Sequence, residues 1–236
     1  MTTASAKVEE YLEAIYNMEM EGETVIGARL AEKFRVKAPT VTEMLQRLEK
    51  AGYITLDAQR HVTLTEDGVE LAESVLRRHR LTERFLTDML GMQWHEVHEE
   101  ACRLEHYISG AVEERVIASL DHPTTCPHGN PIPGYVPDAR GYLARVGACR
   151  LTDAADQPMR ILCVSEVIED EEETIRALHE RGMTPGTVVT WHGETSEAGW
   201  VLLPDGTTIS IPRTLARALW VIPADAPMPK GAAGTR

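Results

Sequence analysis

Apolar residues recur with a helical period through the first half of the chain and with a two-residue period towards its end. Val8, Leu12, Ile15 and Tyr16 share one face and predict a helix over residues 6–21, closed by Gly22. A second helix is predicted from about Ile26 to Phe34, through Leu30 and Ala31. After the turn Arg35-Val-Lys-Ala, Pro39 opens a third helix, where its missing N–H is no loss. Val41, Met44, Leu45 and Leu48 form that helix's buried stripe, and Gly52 suits its C-terminal cap. Tyr53-Ile-Thr-Leu and His61-Val-Thr-Leu-Thr alternate, and Asp57-Ala-Gln-Arg60 joins them, so a β-hairpin is predicted. Helix, helix, turn, helix, hairpin is the order of a winged helix-turn-helix. Thr65 suits the N-cap of a further helix, running past Arg80 to Leu90 with a break near Gly91. Trp94 to Leu120 reads as another long helix.

Between Asp121 and Pro137, Pro123, Pro127, Pro131, Pro133 and Pro137 rule out a helix and predict a proline-rich connector. Strands follow: Ala148-Cys-Arg-Leu-Thr, Ile161-Leu-Cys-Val-Ser-Glu-Val, Thr187-Val-Val-Thr-Trp, Gly199-Trp-Val-Leu-Leu and Thr207-Thr-Ile-Ser-Ile. One helix, about Glu172–Arg181, interrupts them, and Gly182-Met-Thr-Pro-Gly186 turns the chain. The pattern predicts an α+β multidomain protein: a winged helix-turn-helix (1–74), a helical domain with the connector (75–140) and a small β-barrel-like domain (147–223). Residues 224–236, rich in Ala, Pro and Gly, read as a disordered tail.

Composition changes this picture in three places. The 236 residues carry a net charge of −13, which taken whole argues against nucleic acid. Between Arg29 and Arg60, however, seven basic residues face four acidic ones, while Glu166–Glu173 holds six acids in eight positions. The acidity lies outside the segment that would touch DNA. No apolar run reaches membrane-span length and no secretory signal is evident, so the expected location is the cytoplasm. There Cys102, Cys126, Cys149 and Cys163 would stay reduced.

The chemistry concentrates on the helical segment. With each helical residue turning about 100°, Cys102, Glu105 and His106 lie roughly 40°, −20° and 80° around from His98, on one stripe. His79 and Glu83, four apart, share a face of the preceding helix. A solvated polar face is the plain alternative. Six ligand-type residues in matched register on two adjacent helices favour a metal instead. The mixture of imidazole, carboxylate and thiolate suits Mn(II), Fe(II), Co(II), Ni(II) or Zn(II) rather than Ca(II) or Mg(II). His95-Glu-Val-His98 has the wrong spacing for a zinc-protease helix, and His95 reads as exposed. Cys126-Pro-His128, with no second pair nearby, reads as structural.

The third predicted helix is the candidate DNA reader, its N-terminal end facing base edges in a major groove. The segment Lys37, Ala38, Pro39, Thr40, Thr42 and Glu43 supplies that end. Lys37 and Arg47 suit phosphates, and Arg60, at the hairpin tip, a minor groove or the backbone.

These residues together resemble the diphtheria-toxin-repressor family of iron- and manganese-dependent regulators (the DtxR/MntR group). The resemblance is carried by Glu10-Tyr-Leu-Glu-Ala-Ile-Tyr16, Pro39-Thr-Val-Thr, Leu64-Thr-Glu-Asp-Gly68, Arg78-His-Arg-Leu-Thr-Glu-Arg-Phe-Leu86, Val97-His-Glu-Glu-Ala-Cys-Arg-Leu-Glu-His106 and Gly129-Asn-Pro-Ile-Pro-Gly134. The last domain resembles the SH3-like (FeoA-type) domain of longer members. The resemblance implies two metal sites per chain. A primary one would use Glu10, Cys102, Glu105 and His106, by side chain or by the Cys102 carbonyl. An ancillary one would use His79, Glu83 and His98, with Glu171 or a neighbour from the acidic run. The SH3-like domain's second ligand in iron-sensing members falls near Thr174, a poor ligand. The resemblance also implies an anion near Arg80 and Asn130, where the expected serine is Cys126. Iron sensors usually carry methionine where Glu10 stands, and short manganese sensors carry glutamate where Cys102 stands, so the chain is a hybrid. The carboxylate tilts the expectation to Mn(II), with Fe(II) as the alternative. The implied function is a non-enzymatic, metal-activated repressor of metal-uptake genes, binding a palindromic double-stranded DNA operator as a homodimer through helices around 88–118. A metal hydrolase and a metal-buffering protein are the rivals from other classes.

Overall fold

The computed structural model describes residues 5–154, 156–168 and 170–228. Helices α1 (Ala6–Met20), α2 (Gly27–Lys33) and α3 (Ala38–Lys50) lead into a hairpin of β1 (Ile54–Leu56) and β2 (Val62–Leu64), with Thr55 opposite Thr63. Leu12, Ile15 and Tyr16 of α1 pack against Leu30, Leu45 and Leu48, so the predicted stripes meet in one core. Helix α4 (Glu66–Asp88) starts where the Thr65 hydroxyl accepts the Gly68 N–H at 3.1 Å. A Cβ on Gly68 would lie 2.0 Å from the Tyr53 carbonyl oxygen, so only glycine lets the hairpin rest on α4.

The long helix expected over Trp94–Leu120 is two: α5 (Val97–Leu104) and α6 (Gly110–Ser119). A continuous helix would offer the Glu105 carbonyl to the N–H of residue 109. Instead Arg78 Nε donates to that oxygen at 2.8 Å, and Ser109 caps α6. Glu105 and His106 therefore sit on the turn after α5, not on a helical stripe.

The proline-rich connector crosses α4, held by Arg84 through the carbonyls of Thr125 (3.0 Å) and Cys126 (3.2 Å). A short helix, α7 (Tyr142–Arg145), not foreseen from the pattern, drives Tyr142 and Leu143 into the N-terminal core. Six antiparallel strands follow: β3 (Cys149–Arg150), β4 (Pro158–Val164), β5 (Val188–Gly193), β6 (Ala198–Leu202), β7 (Thr208–Pro212) and β8 (Leu219–Pro223). Helix α8 (Glu171–Glu180) lies between β4 and β5, and α9 (Arg213–Arg217) between β7 and β8. The order is β3-β8-β4-β5-β6-β7, so β8, absent from the expected strands, lies inside the sheet. The expected SH3-like barrel is an open sheet among the described residues, with β3 and β7 as its edges. Strand β3 is too short to close it, because Leu151–Asp153 coil into a 3-10 turn.

The sheet joins both halves of the molecule. Ile161, Val189, Trp191 and Val201 pack with Ile175 and Leu178 of α8, whereas Leu162, Cys163 and Ile222 complete the N-terminal core. A register shift between Ile161 and Cys163 turns both Leu162 and Cys163 towards that core. Of the stretch read as a disordered tail, Ala226 and Met228 pack on the same core, and residues 229–236 lie outside the described ones.

Candidate metal centre and DNA-reading face

Five segments converge on one cluster: α1, α4, α5 with the turn after it, the connector and the start of α8. His79 and Glu83 share the inner face of α4, as their spacing predicts, and both are buried. His79 Nδ1 lies 2.6 Å from Glu105 Oε2, and its Nε2 lies 3.1 Å from Glu83 Oε1. The same Glu83 oxygen faces His98 Nδ1 at 3.2 Å and His128 Nδ1 at 3.1 Å. His128 Nε2 is 2.7 Å from the Trp94 carbonyl and must donate to it, which leaves Nδ1 to face Glu83. Cys102 Sγ lies 3.7 Å from His98 Nε2.

Among the described residues, three groups have ligand atoms within 4.8 Å of one another: His79, His98 and Cys102; Glu83, Cys126 and His128; Glu13, His79 and Glu105. Glu83 Oε2 is buried with no hydrogen-bond partner among the described residues. An orphaned buried carboxylate oxygen among imidazoles and thiols fits a divalent cation of the borderline class.

The electrostatics agree. Burial alone would lower the pKa of His79, but the Glu83 carboxylate and Cys102 raise it well above 6.5. Burial is likewise outweighed at His98, by Glu171. Glu83 is held well below 4.5 by His128 and His79 despite its burial. Glu13 is pushed well above 4.5 by burial and by Glu105. Burial opposes ionisation of Cys102, yet His79 and His98 bring its thiol down from 9.0 to about 7. Cys126, by contrast, is pushed well above 9.0 by burial and by Glu83.

The residues expected to form two separate sites interleave instead: His79 links Glu105 to Glu83, and Cys102 falls beside His98. Glu10 lines the same cavity of about 200 Å³, but its carboxylate pairs with Lys7 at 3.1 Å. Its neighbours on α1 reach further in. Glu9 Oε2 lies 2.6 Å from His106 Nδ1, and Glu13 joins Glu105 and His79. Sequence reasoning missed Glu9 and Glu13, although their i, i+4 spacing was a signal. Cys126-Pro-His128, expected to be structural, is brought onto Glu83 by a tight turn. There Cys126 N–H donates to Asn130 O at 2.9 Å, and Gly129 takes a φ of 89°. Glu171 Oε2 comes within 3.5 Å of His98 Nε2, while Thr174 lines a different cleft. Arg80 and Asn130 do not form an open anion site. Arg80 donates to Glu166 at 2.7 Å and Asn130 to Val164 O at 3.0 Å, so a carboxylate of the chain itself stands where the anion was expected. His95, expected to be exposed, is half-buried and stacks on His179 with ring centroids 4.1 Å apart.

The reading face is open. Val41, Leu45 and Leu48 bury one side of α3, leaving Lys37, Ala38, Pro39, Thr40, Thr42, Glu43 and Arg47 exposed on the other. The Thr42 hydroxyl donates back to Ala38 O at 3.0 Å. Arg60, at the hairpin tip, holds a φ of 64°, and Asp57 braces the turn by accepting the Gln59 and His61 N–H groups.

A winged helix-turn-helix whose first helix lends carboxylates to a buried cluster of histidines and thiols defines a metal-responsive DNA-binding regulator. Residues 3–62 match the iron dependent repressor N-terminal DNA binding domain, and residues 65–134 the iron dependent repressor metal binding and dimerisation domain. The iron-dependent repressor IdeR of Mycobacterium leprae (strain TN) is 40% identical over 223 residues, 90% of this chain and 95% of that protein. A solved manganese-dependent transcriptional repressor in complex with manganese superposes with a TM-score of 0.76 at 29% identity, over 92% of this chain and 99% of that one. ScaR with bound Zn2+ superposes at 0.75 and 27% identity, over 92% and 99%. The chain belongs to the diphtheria-toxin-repressor (DtxR/MntR) family of metal-dependent transcriptional repressors, DNA-binding regulators rather than enzymes. No helix among the described residues is long and apolar enough to cross a membrane.

Proposed function

We propose that this repressor is activated by Mn(II), with Fe(II) as the alternative. It would act in the cytoplasm, silencing metal-uptake genes by binding a palindromic operator as a homodimer. The observation that carries the reading is the contribution of α1 to the cluster. Glu9 and Glu13, on the first helix of the reading head, face His106, Glu105 and His79 of the following segment. Two ions per chain fit the donor sets. One would be held by Glu13, Glu105 and His106 with Cys102, with Glu10 at its mouth. The other would be held by Glu83, His98, His128 and Cys126 with Glu171. His79 stands between them.

A bound divalent ion supplies the positive charge that lets these carboxylates stay ionised side by side. The tie that Glu9 already makes from α1 to the turn after α5 would be reinforced by an ion held by Glu13, Glu105 and His106, fixing the angle of the reading head. Carboxylates outnumber thiols around α1, and hard oxygen donors favour Mn(II). Met89, Leu90, Leu104, Tyr107 and Val112 are exposed apolar residues at the ends of α4, α5 and α6, and support a second copy docking there. In such a dimer Thr40, Thr42 and Glu43 would face base edges in successive major grooves, with Lys37, Arg47 and Arg60 on the backbone.

A gel shift on the chain's own upstream DNA tests this, with Mn(II), Fe(II) or no metal. Retardation with Mn(II) alone is expected. Activation by Fe(II) and none by Mn(II) overturns the metal assignment, and equal retardation without metal overturns the mechanism.

A further inference from the structure

We propose that Lys33 is a tethered cation that competes with the activating ion for Glu171 and so sets the affinity of the metal centre. The inference rests on the reading of the cavity as that centre.

Lys33 is the last residue of α2, within the helix-turn-helix, yet it points away from the DNA-reading face. Its side chain lines the cavity that also holds Cys102, Glu105 and His106. The ammonium donates to the Glu166 carbonyl at 2.6 Å and lies 3.8 Å from Glu171 Oε2. That same Glu171 oxygen is 3.5 Å from His98 Nε2. One carboxylate oxygen thus serves two cationic neighbours, one from the reading head and one from the ligand cluster. Both ends of the Lys33–Glu171 contact are mostly shielded, with side-chain exposures of 20% and 15%, so the contact is screened less than a surface pair.

A cavity lined by several carboxylates favours a cation, and in the ion-free protein the chain supplies its own. A divalent ion that takes Glu171 removes the anionic partner of Lys33, leaving it the Glu166 carbonyl, and adds like charge beside the ammonium. Ion entry and the Lys33–Glu171 contact therefore oppose each other. By linkage, each opposes the other by the same factor. The contact also joins α2 to the acidic segment of the C-terminal domain, reinforced by Arg35 on Asp170 at 3.0 Å. Ion uptake then loosens one tie between the reading head and that domain, while others, such as Arg150 on Glu21 at 2.6 Å, remain. This gives a second route from metal to α2–α3, separate from the α1 carboxylates.

The test is Mn(II) binding followed calorimetrically in the absence of DNA, for the wild type, Lys33→Met, Lys33→Arg, Glu171→Gln and Lys33→Met/Glu171→Gln, with circular dichroism confirming the fold of each. Lys33→Met is expected to bind Mn(II) about tenfold more tightly, within the range usual for coupled sites. Lys33→Arg, which keeps the charge, should restore affinity close to the wild type. In the Glu171→Gln background the Lys33→Met gain should shrink to less than about twofold, because the contested carboxylate is gone. A Lys33→Met protein that binds no more tightly than the wild type overturns the proposal. So does a tenfold gain that persists undiminished without Glu171, which would reflect charge at a distance rather than competition. A wild type that binds no Mn(II) or Fe(II) at all overturns the reading of the cavity itself.

Discussion

The Glu9 carboxylate and the His106 ring, 97 residues apart in sequence, lie 2.6 Å from each other. One belongs to the first helix of the reading head and the other to the turn that breaks the helical domain. Their contact is a direct mechanical link between the two. Glu10, one residue on, faces Lys7 instead. Glu9→Gln and Glu13→Gln are therefore expected to weaken metal-dependent operator binding by about 10- to 100-fold, the usual loss when a group supporting a metal ligand is removed. Glu10→Gln should cost less than either. Fluorescence anisotropy on an operator duplex at fixed Mn(II) ranks the three. A larger loss from Glu10→Gln than from Glu9→Gln would return Glu10 to the centre of the site.

The difference between Glu9 and Glu10 also shows where sequence reasoning stops. Helices α1 to α4 and the hairpin follow from apolar spacing and caps, because each is a local property. The break after Leu104 does not, because Arg78 makes it from another helix by taking the Glu105 carbonyl. Identifying ligand-type residues on α4 and α5 required only residue type and spacing. Choosing which α1 carboxylates turn inward required the packing angle of α1 on α4, which no spacing rule contains. The same holds for Cys126 and His128, whose turn is positioned by Arg84 and by the Trp94 carbonyl. Strand β8, Leu219-Trp-Val-Ile-Pro, sits inside the sheet between β3 and β4, so it is a continuous apolar run without the alternation that marks a half-buried strand.

Cys102 should be the one fast-reacting thiol of the chain. Its thiol titrates at about 7, opposed by burial but favoured by His79 and His98, and it reaches solvent. Cys126 and Cys163 are buried and pushed well above 9.0, and Cys149 is raised by burial. Alkylation of the metal-free protein with iodoacetamide, followed by mass spectrometry, is expected to label Cys102 first with a midpoint near pH 7. Saturating Mn(II) should slow it. A midpoint near that of a free thiol would mean that the two histidines do not carry charge beside it.

The metal-free protein should lose stability on raising the pH above neutral, and metal should restore it. His79 and His98 have pKa values raised above 6.5 in the folded state. Their contribution is fully present below the unfolded value and is lost as the pH climbs through the folded one. Glu13, raised above 4.5 by burial and Glu105, acts in the same direction. Glu83, depressed below 4.5, contributes above that value and is lost only as the pH falls through its folded pKa. Cys102, lowered to about 7, acts the other way between about 7 and 9.0. His79, His98 and Glu13 together outweigh one thiol, so the metal-free Tm is expected to decline from pH 6.5 upwards. Mn(II) affinity should rise over the same range, since binding must expel the histidine protons. A Tm that climbs steadily from pH 6.5 to 9 would show that these histidines are neutral in the folded protein.

Arg80 is wholly buried and holds three segments at once. Its guanidinium donates to Pro131 O in the connector, to Asn17 Oδ1 on α1 at 3.0 Å, and to Glu166 Oε2 of the C-terminal domain at 2.7 Å. Glu166 is held below 4.5 by that charge against its own burial. Arg80→Met would leave a buried carboxylate without its counter-charge, and such a loss typically costs about 3–5 kcal/mol. Glu166→Gln alone should cost less, because Asn17 and Pro131 still receive the guanidinium. The double variant Arg80→Met/Glu166→Gln should be more stable than Arg80→Met alone, since no unpaired carboxylate remains. Urea unfolding of the four proteins measures the coupling directly. Additive losses would mean that Glu166 draws its stabilisation from elsewhere. A strong coupling would establish that the C-terminal domain is fastened to α4 through a charge buried beneath the metal cluster.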